Sequence, residues 1–124
     1  MQTAQKNFYK KLLGRAGEIK AEKFLKKKGY KILEKNYKTH SGEIDLIAEK
    51  SGEIVFAEVK TRTDDSFGNG AEAVNAKKRE RYFKVASEYL LKTDKSDFPC
   101  RFDVITLDSG EIRHLENAFF KANS

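Results

Sequence analysis

Two short runs, GEIDLIAE at 42–49 and EIVFAEVK at 53–60, hold the residues with the clearest capacity for chemistry: Asp45, Glu58 and Lys60. Both runs alternate in the manner of strands, and Lys50, Ser51 and Gly52 between them signal a hairpin. With Ser51 and Gly52 as a two-residue turn, or with a four-residue loop from Lys50 to Glu53, position 50 faces position 53 and the same register continues along both strands. Asp45 then opposes Glu58, and Glu43 opposes Lys60. Because side chains alternate, these four share one face, while Ile44, Leu46, Val55, Ala57 and Val59 occupy the other. A three-residue loop with a bulge would change the opposition.

Carboxylates opposed across strands at roughly 5 Å between Cβ atoms repel each other unless something compensates. A divalent cation is one compensation, since hard ions such as Mg²⁺ take carboxylate, carbonyl, water and phosphate oxygens. The carbonyl of Val59, between Glu58 and Lys60, is a further candidate ligand. Lys60 would place an ammonium beside the ion, suited to orienting water or offsetting charge on a phosphate oxygen. The competing reading of the same spacing is an ordinary Glu43–Lys60 cross-strand ion pair, with Asp45 and Glu58 facing solvent.

The elements that must position these groups follow from periodicity. Residues 12–28 align Leu13, Ala16, Gly17, Ala21 and Phe24 on a helical stripe, with Lys20 intruding and Gly29 as the stop. Glu18 borders that stripe and is a candidate to point along a sheet toward a metal, although glutamates at a helix edge are usually solvated. Gly14 and Gly17 would allow this helix to press close. Residues 30–36 predict a first strand, the two acidic runs a second and third, and polar residues 61–74 a mobile loop. Asn75 can cap a second helix at about 76–92, with Tyr82, Phe83, Ala86, Tyr89 and Leu90 on one side and Lys77, Arg81 and Lys84 on the other. Residues 101–108 and 111–116 close the order as a pair of strands. A mixed sheet flanked by helices, an α/β architecture in a single domain spanning 1–124 with its core at about 12–119, is the expectation.

Charge bears on the partner. Residues 1–38 hold twelve Lys/Arg against three Glu, whereas residues 39–124 hold thirteen against sixteen acids, within a net charge of +6. A cationic surface suits a polyanion, because neutralised phosphates release counterions, and it equally suits a merely solvated basic face. Lys77, Lys78, Arg81 and Lys84 could track a phosphate backbone, and Arg62 lies just past the Glu58/Lys60 strand. The lone Cys100 excludes an intrachain disulfide and a Cys-rich zinc site, which suits a reducing cytoplasm. No apolar run approaches the roughly 20 residues of a membrane span, and export is not expected. His40 and His114 have no partner at metal-ligand spacing and read as surface or packing residues.

Six ordered blocks, GRAGE (14–18), GYKILEKN (29–36), GEIDLIA (42–48), FAEVKTR (56–62), RFDVI (101–105) and NAF (117–119), resemble a bacterial family of small predicted endonucleases, the YraN-like proteins. The resemblance implies a restriction-endonuclease-like core of the PD-(D/E)xK type, similar to archaeal Holliday junction resolvases. It implies that Asp45 matches the acidic metal ligand, Glu58 and Lys60 the paired glutamate and lysine, and Glu18 the helix carboxylate, with Ile44 where the motif's name has proline. Expected from it are Mg²⁺- or Mn²⁺-dependent hydrolysis of DNA, at junctions or flaps, and a homodimer by analogy with resolvases, which cut a four-way junction twice. The alternative is a non-catalytic nucleic-acid-binding protein on the same scaffold. A basic RNA-associated protein ranks last, as no RNA-binding signature is present.

Overall fold

The computed structural model describes the backbone of residues 3–62 and 75–119, with side chains from Lys11 to Thr61 and from Asn75 to Phe119. Helix α1 runs over Thr3–Lys27 and is followed by strands β1 (Lys31–Thr39), β2 (Gly42–Lys50) and β3 (Glu53–Arg62). Helix α2 (Ala76–Lys92) then leads to β4 (Cys100–Asp108) and β5 (Glu111–Phe119), giving the α-β-β-β-α-β-β order expected from the sequence. The strands lie in chain order in one sheet, antiparallel throughout except for the parallel β3/β4 pair that α2 connects.

Local chemistry accounts for the element ends. The amide of Tyr30 bonds to the Leu25 carbonyl at 3.0 Å and that of Gly29 to Lys26 at 3.0 Å, with Gly29 at φ +92°. This double return of the chain satisfies the last carbonyls of α1, and Leu25 and Tyr30 meet in the core beneath it. α1 starts earlier than the predicted residue 12, because the apolar stripe used to place it in the sequence begins only there. Gln, Ala and Lys carry the helix on without it. At α2, the side chain of Asn75 accepts the Lys78 amide at 2.9 Å, the capping role predicted for it. Thr61 and Arg62 extend β3 where a loop was predicted, and residues 63–74 of that loop lie outside the described residues.

Each helix covers one face of the sheet. Against α1, Ala21 and Leu25 pack on Leu46, Ala48, Val55, Ala57, Ile105 and Leu107. Against α2, Tyr82, Val85, Ala86 and Tyr89 pack on Ile44, Ile47, Ile54, Phe56, Phe102 and Val104. Fully burying a side chain of this size contributes roughly 1.5–3 kcal/mol, so the two layers fix the depth of both helices. The α1 stripe differs from prediction at two places: Ala16 is exposed and Leu25 is fully buried. Gly17 touches the sheet, since a Cβ there would fall on Thr61 Oγ1.

Candidate active site

The turn at Ser51 and Gly52 has φ of +52° and +81°, and the β2/β3 ladder runs from Lys50↔Glu53 to Leu46↔Ala57 in the predicted register. The ladder stops there. The next pair would be Asp45 with Glu58, but Asp45 Oδ2 instead accepts the Val59 amide at 2.9 Å. A side-chain carboxylate thus stands where a main-chain acceptor would, and the two strands fork around it. On the neighbouring strand, Asn36 adopts φ +51° between the Lys35↔Leu46 and Tyr37↔Ile44 pairs. Alternation breaks across this point. Leu46 joins Val55, Ala57 and Val59 on the α1 face as expected, whereas Ile44 crosses to the α2 face, contrary to the prediction.

Glu58 is 4% exposed, and its Oε1 receives two ammonium groups, Lys78 Nζ at 2.7 Å and Lys60 Nζ at 3.2 Å. Burial and then repulsion from Glu58 push the Asp45 carboxyl from its ordinary 3.8 up to about 8, against the pull of the Val59 amide. For Lys78, burial opposes the charge, but contact with Glu58 outweighs it and raises the ammonium's pKa. Glu18 is raised by burial, held by a hydrogen bond to Asn36, and repelled by Glu43 and Glu58. The carboxylates therefore feel one another across a single region.

A cavity of about 300 Å³ opens on this cluster, lined by Glu43, Asp45, Glu58, Lys78, Arg81 and Tyr82. A larger one of about 500 Å³ is lined by Ser41, Phe83, Lys84, Glu88 and exposed Glu80, but the Glu88 carboxylate is taken up by the Thr39 and Ser41 hydroxyls, and it is the weaker candidate. Glu43 lines the site cavity, but its ion partner is Lys38 at 4.0 Å, so the predicted opposition to Lys60 does not form. The fork has carried β2 away from β3 before residue 43 is reached. Lys77 and Arg81 are exposed on the first turns of α2, and Lys84 lines the larger cavity. Arg62 ends β3, and its side chain lies outside the described residues.

Lys78 was predicted only as a backbone-tracking cation, yet it reaches into the carboxylate pair. Its cap position was legible from Asn75, but its target on β3 required the packing of α2. A second polar cluster was also missed. Asp103, 0% exposed, accepts from Arg101 Nε at 3.0 Å and from the Asn117 amide at 2.9 Å, and pairs with His114 Nε2 at 2.6 Å. Arg101 also binds Glu53 at 2.7 Å and Glu116 at 2.8 Å. His114 packs edge-on to Phe24 and Tyr30, a packing role, while His40 is exposed. Asp103, His114 and Glu116 have ligand atoms mutually within 4.8 Å and could hold a metal ion. Against the push of burial, His114 and Arg101 hold the Asp103 carboxyl below its ordinary pKa, whereas burial and Glu58 push Asp45 up, so the charge at Asp103 is the better balanced and this cluster is the poorer metal site. The apolar run around Asp103 was the available signal, since a charge inside such a strand must find partners.

Among the described residues, no helix is long and apolar enough to cross a membrane. The profile of a family described as "Uncharacterised protein family UPF0102" matches residues 17–107. A UPF0102 protein of Thermodesulfovibrio yellowstonii is 47% identical over 108 residues, covering 87% of this chain and 96% of its own length. One from Caldanaerobacter subterraneus subsp. tengcongensis is 44% identical over 121 residues, covering 92% and 99%. Another, from Alkaliphilus oremlandii, is 47% identical over 115 residues, covering 88% and 98%. None of these names carries an activity.

Proposed function

The chain belongs to the family UPF0102, and from that premise we propose that it is a metal-dependent endonuclease hydrolysing phosphodiester bonds in DNA, with branched or junction DNA as its substrate. The observation that carries this reading is the fork: half-buried Asp45 and buried Glu58, from adjacent strands, come together there, with two ammonium groups on Glu58. Loss of water and then the neighbouring Glu58 raise the proton affinity of Asp45, pushing its carboxyl up to about 8.

This donor set fits Mg²⁺ or Mn²⁺. Asp45 and Glu58 offer hard oxygens, Glu18 and the Val59 carbonyl are the further candidates, and the charge they concentrate is of the kind a dication relieves. When bound, such an ion supplies polarisation of the phosphodiester and a lowered pKa for water. The chain's own groups do the rest. Lys60 offsets negative charge growing on the phosphate, and the α2 cations Lys77, Lys78, Arg81 and Lys84, with Arg62, bind the backbone on either side of the cut. A homodimer and a cytoplasmic setting belong to the same proposal.

The test compares wild type, Glu58→Ala and Lys60→Ala on labelled duplex, flap and four-way-junction DNA with Mg²⁺, Mn²⁺ or EDTA. Cleavage by wild type, dependent on metal and reduced at least about a hundredfold in either variant, is the expected outcome. Equal cleavage by all three proteins would place the activity elsewhere. Binding without cleavage in every condition would favour the non-catalytic DNA-binding reading.

A further inference from the structure

Lys78 stands one turn before Tyr82, on the sheet-facing side of α2 and not on its basic face. Its main chain is pinned in the first turn of α2 by the Asn75 cap. From there the side chain turns inward, 27% exposed, to put Nζ 2.7 Å from Glu58 Oε1. Lys60 Nζ lies 3.2 Å from the same oxygen, so two like charges converge on one atom. Such crowding is tolerable only around a negative group, and Glu58, which both ammonium groups touch, is that group.

We propose that Lys78 is a built-in surrogate cation, occupying the carboxylate pair when no divalent ion is held and withdrawing when one is. The inference rests on the reading of Asp45 and Glu58 as cation ligands. An ion held by Glu58 needs the oxygen on which the two ammonium groups already converge, so one ammonium must leave. Lys60 is fixed in β3 two residues from Glu58, whereas Lys78 belongs to a separate element on a long side chain. The ring of Tyr82 already lies 5.8 Å from Nζ and lines the same cavity, so the ammonium has an aromatic face beside its path outward.

Two consequences follow. Lys78 sets how much free metal is needed to load the site, because every ion must displace it. It also couples metal to substrate: a phosphate that draws Lys78 out of the pair removes the competitor, and by reciprocity a loaded site frees Lys78 for phosphate.

The test measures Mn²⁺ and Mg²⁺ binding by calorimetry, without DNA, for wild type, Lys78→Met, Lys78→Arg and Asp45→Asn. Removing a unit charge at this range should tighten ion binding by about tenfold in Lys78→Met. Lys78→Arg, which keeps the charge, should bind no tighter than wild type, and Asp45→Asn should lose the site. Denaturant unfolding supplies a second readout: metal-free Lys78→Met should be less stable than wild type and gain more stability from Mn²⁺. Should Asp45→Asn abolish binding while Lys78→Met binds as wild type or more weakly, the surrogate role is wrong and the metal site stands. Should Asp45→Asn bind as wild type, or should none of the proteins bind, the metal site itself is wrong and the surrogate role goes with it.

Discussion

Replacing Asp45 by Asn should stabilise the metal-free protein, by an amount that depends on pH in a defined way. In the folded chain the Asp45 carboxyl is pushed up to about 8 by burial and by Glu58, against an ordinary value of 3.8. The folded state therefore keeps a proton that the unfolded state releases, and stability falls as pH rises through the window between those values. Each pH unit inside it corresponds to roughly 1.4 kcal/mol, so at pH 6 the cost relative to a neutral side chain is about 3 kcal/mol. Asn mimics the protonated acid, since its oxygen can still accept the Val59 amide and its NH₂ can donate to Glu58. Urea unfolding in EDTA from pH 4.5 to 8.5 would measure it. The advantage of Asp45→Asn over wild type should be small near pH 4.5, near 3 kcal/mol at pH 6, and level off above pH 8. A constant difference across the series, or none, would refute the assignment of the uncompensated charge to Asp45.

Three further perturbations probe what holds the site in place. Gly17→Ala should gain about 1 kcal/mol of helix propensity but lose about 1–3 kcal/mol to the collision with Thr61 Oγ1, a net destabilisation that Thr61→Ala should relieve in a double-mutant cycle. A stabilised Gly17→Ala would show that α1 sits higher on the sheet. Arg101→Met should cost about 3–5 kcal/mol in denaturant unfolding, because it strips a cation from buried Asp103. Burial pushes Asp103 up, but His114 and Arg101 outweigh it and hold the carboxyl below its ordinary 3.8, so this stability is present above that value and lost as pH falls through the folded one. An acid limb unchanged by the substitution would contradict the pairing. Ser51→Asn should stabilise by about 0.5–1 kcal/mol, since φ is positive at both turn positions and Asn tolerates that conformation better than Ser; a lower melting temperature would argue against the turn.

Elements governed by local chemistry were legible in the sequence. The bounds of α2 follow from the Asn75 cap and an apolar stripe, and the β2/β3 register follows from a Ser-Gly turn that takes two left-handed residues. What the sequence hid is tertiary. The ladder ends at Asp45 because a side chain replaces a main-chain acceptor, and no periodicity announces such a fork, which is why Ile44 was placed on the wrong face. Helical spacing sets Lys78 one turn before Tyr82 on the apolar stripe, but its target, Glu58 on β3, follows only from the packing of α2 on the sheet. His114 lacked a neighbour in sequence because its partner, Asp103, lies on the adjacent strand.

The parallel β3/β4 pairing has a consequence for the order of assembly. Both flanking hairpins can zip from their own turns, but the seam joins Ile54 to Cys100 and Arg62 to Asp108 from opposite sides of α2, so the chain-entropy cost of folding falls there. Val104→Ala, at the seam, is accordingly expected to slow refolding in stopped-flow measurements, and an effect confined to the unfolding rate would count against this. Asp45 and Glu58 come from one hairpin, whereas Lys78 arrives with the crossover. A nascent chain that has made only its first half would thus expose two crowded acids with Lys60 alone beside them, and it gains Lys78 only when the two halves are stitched.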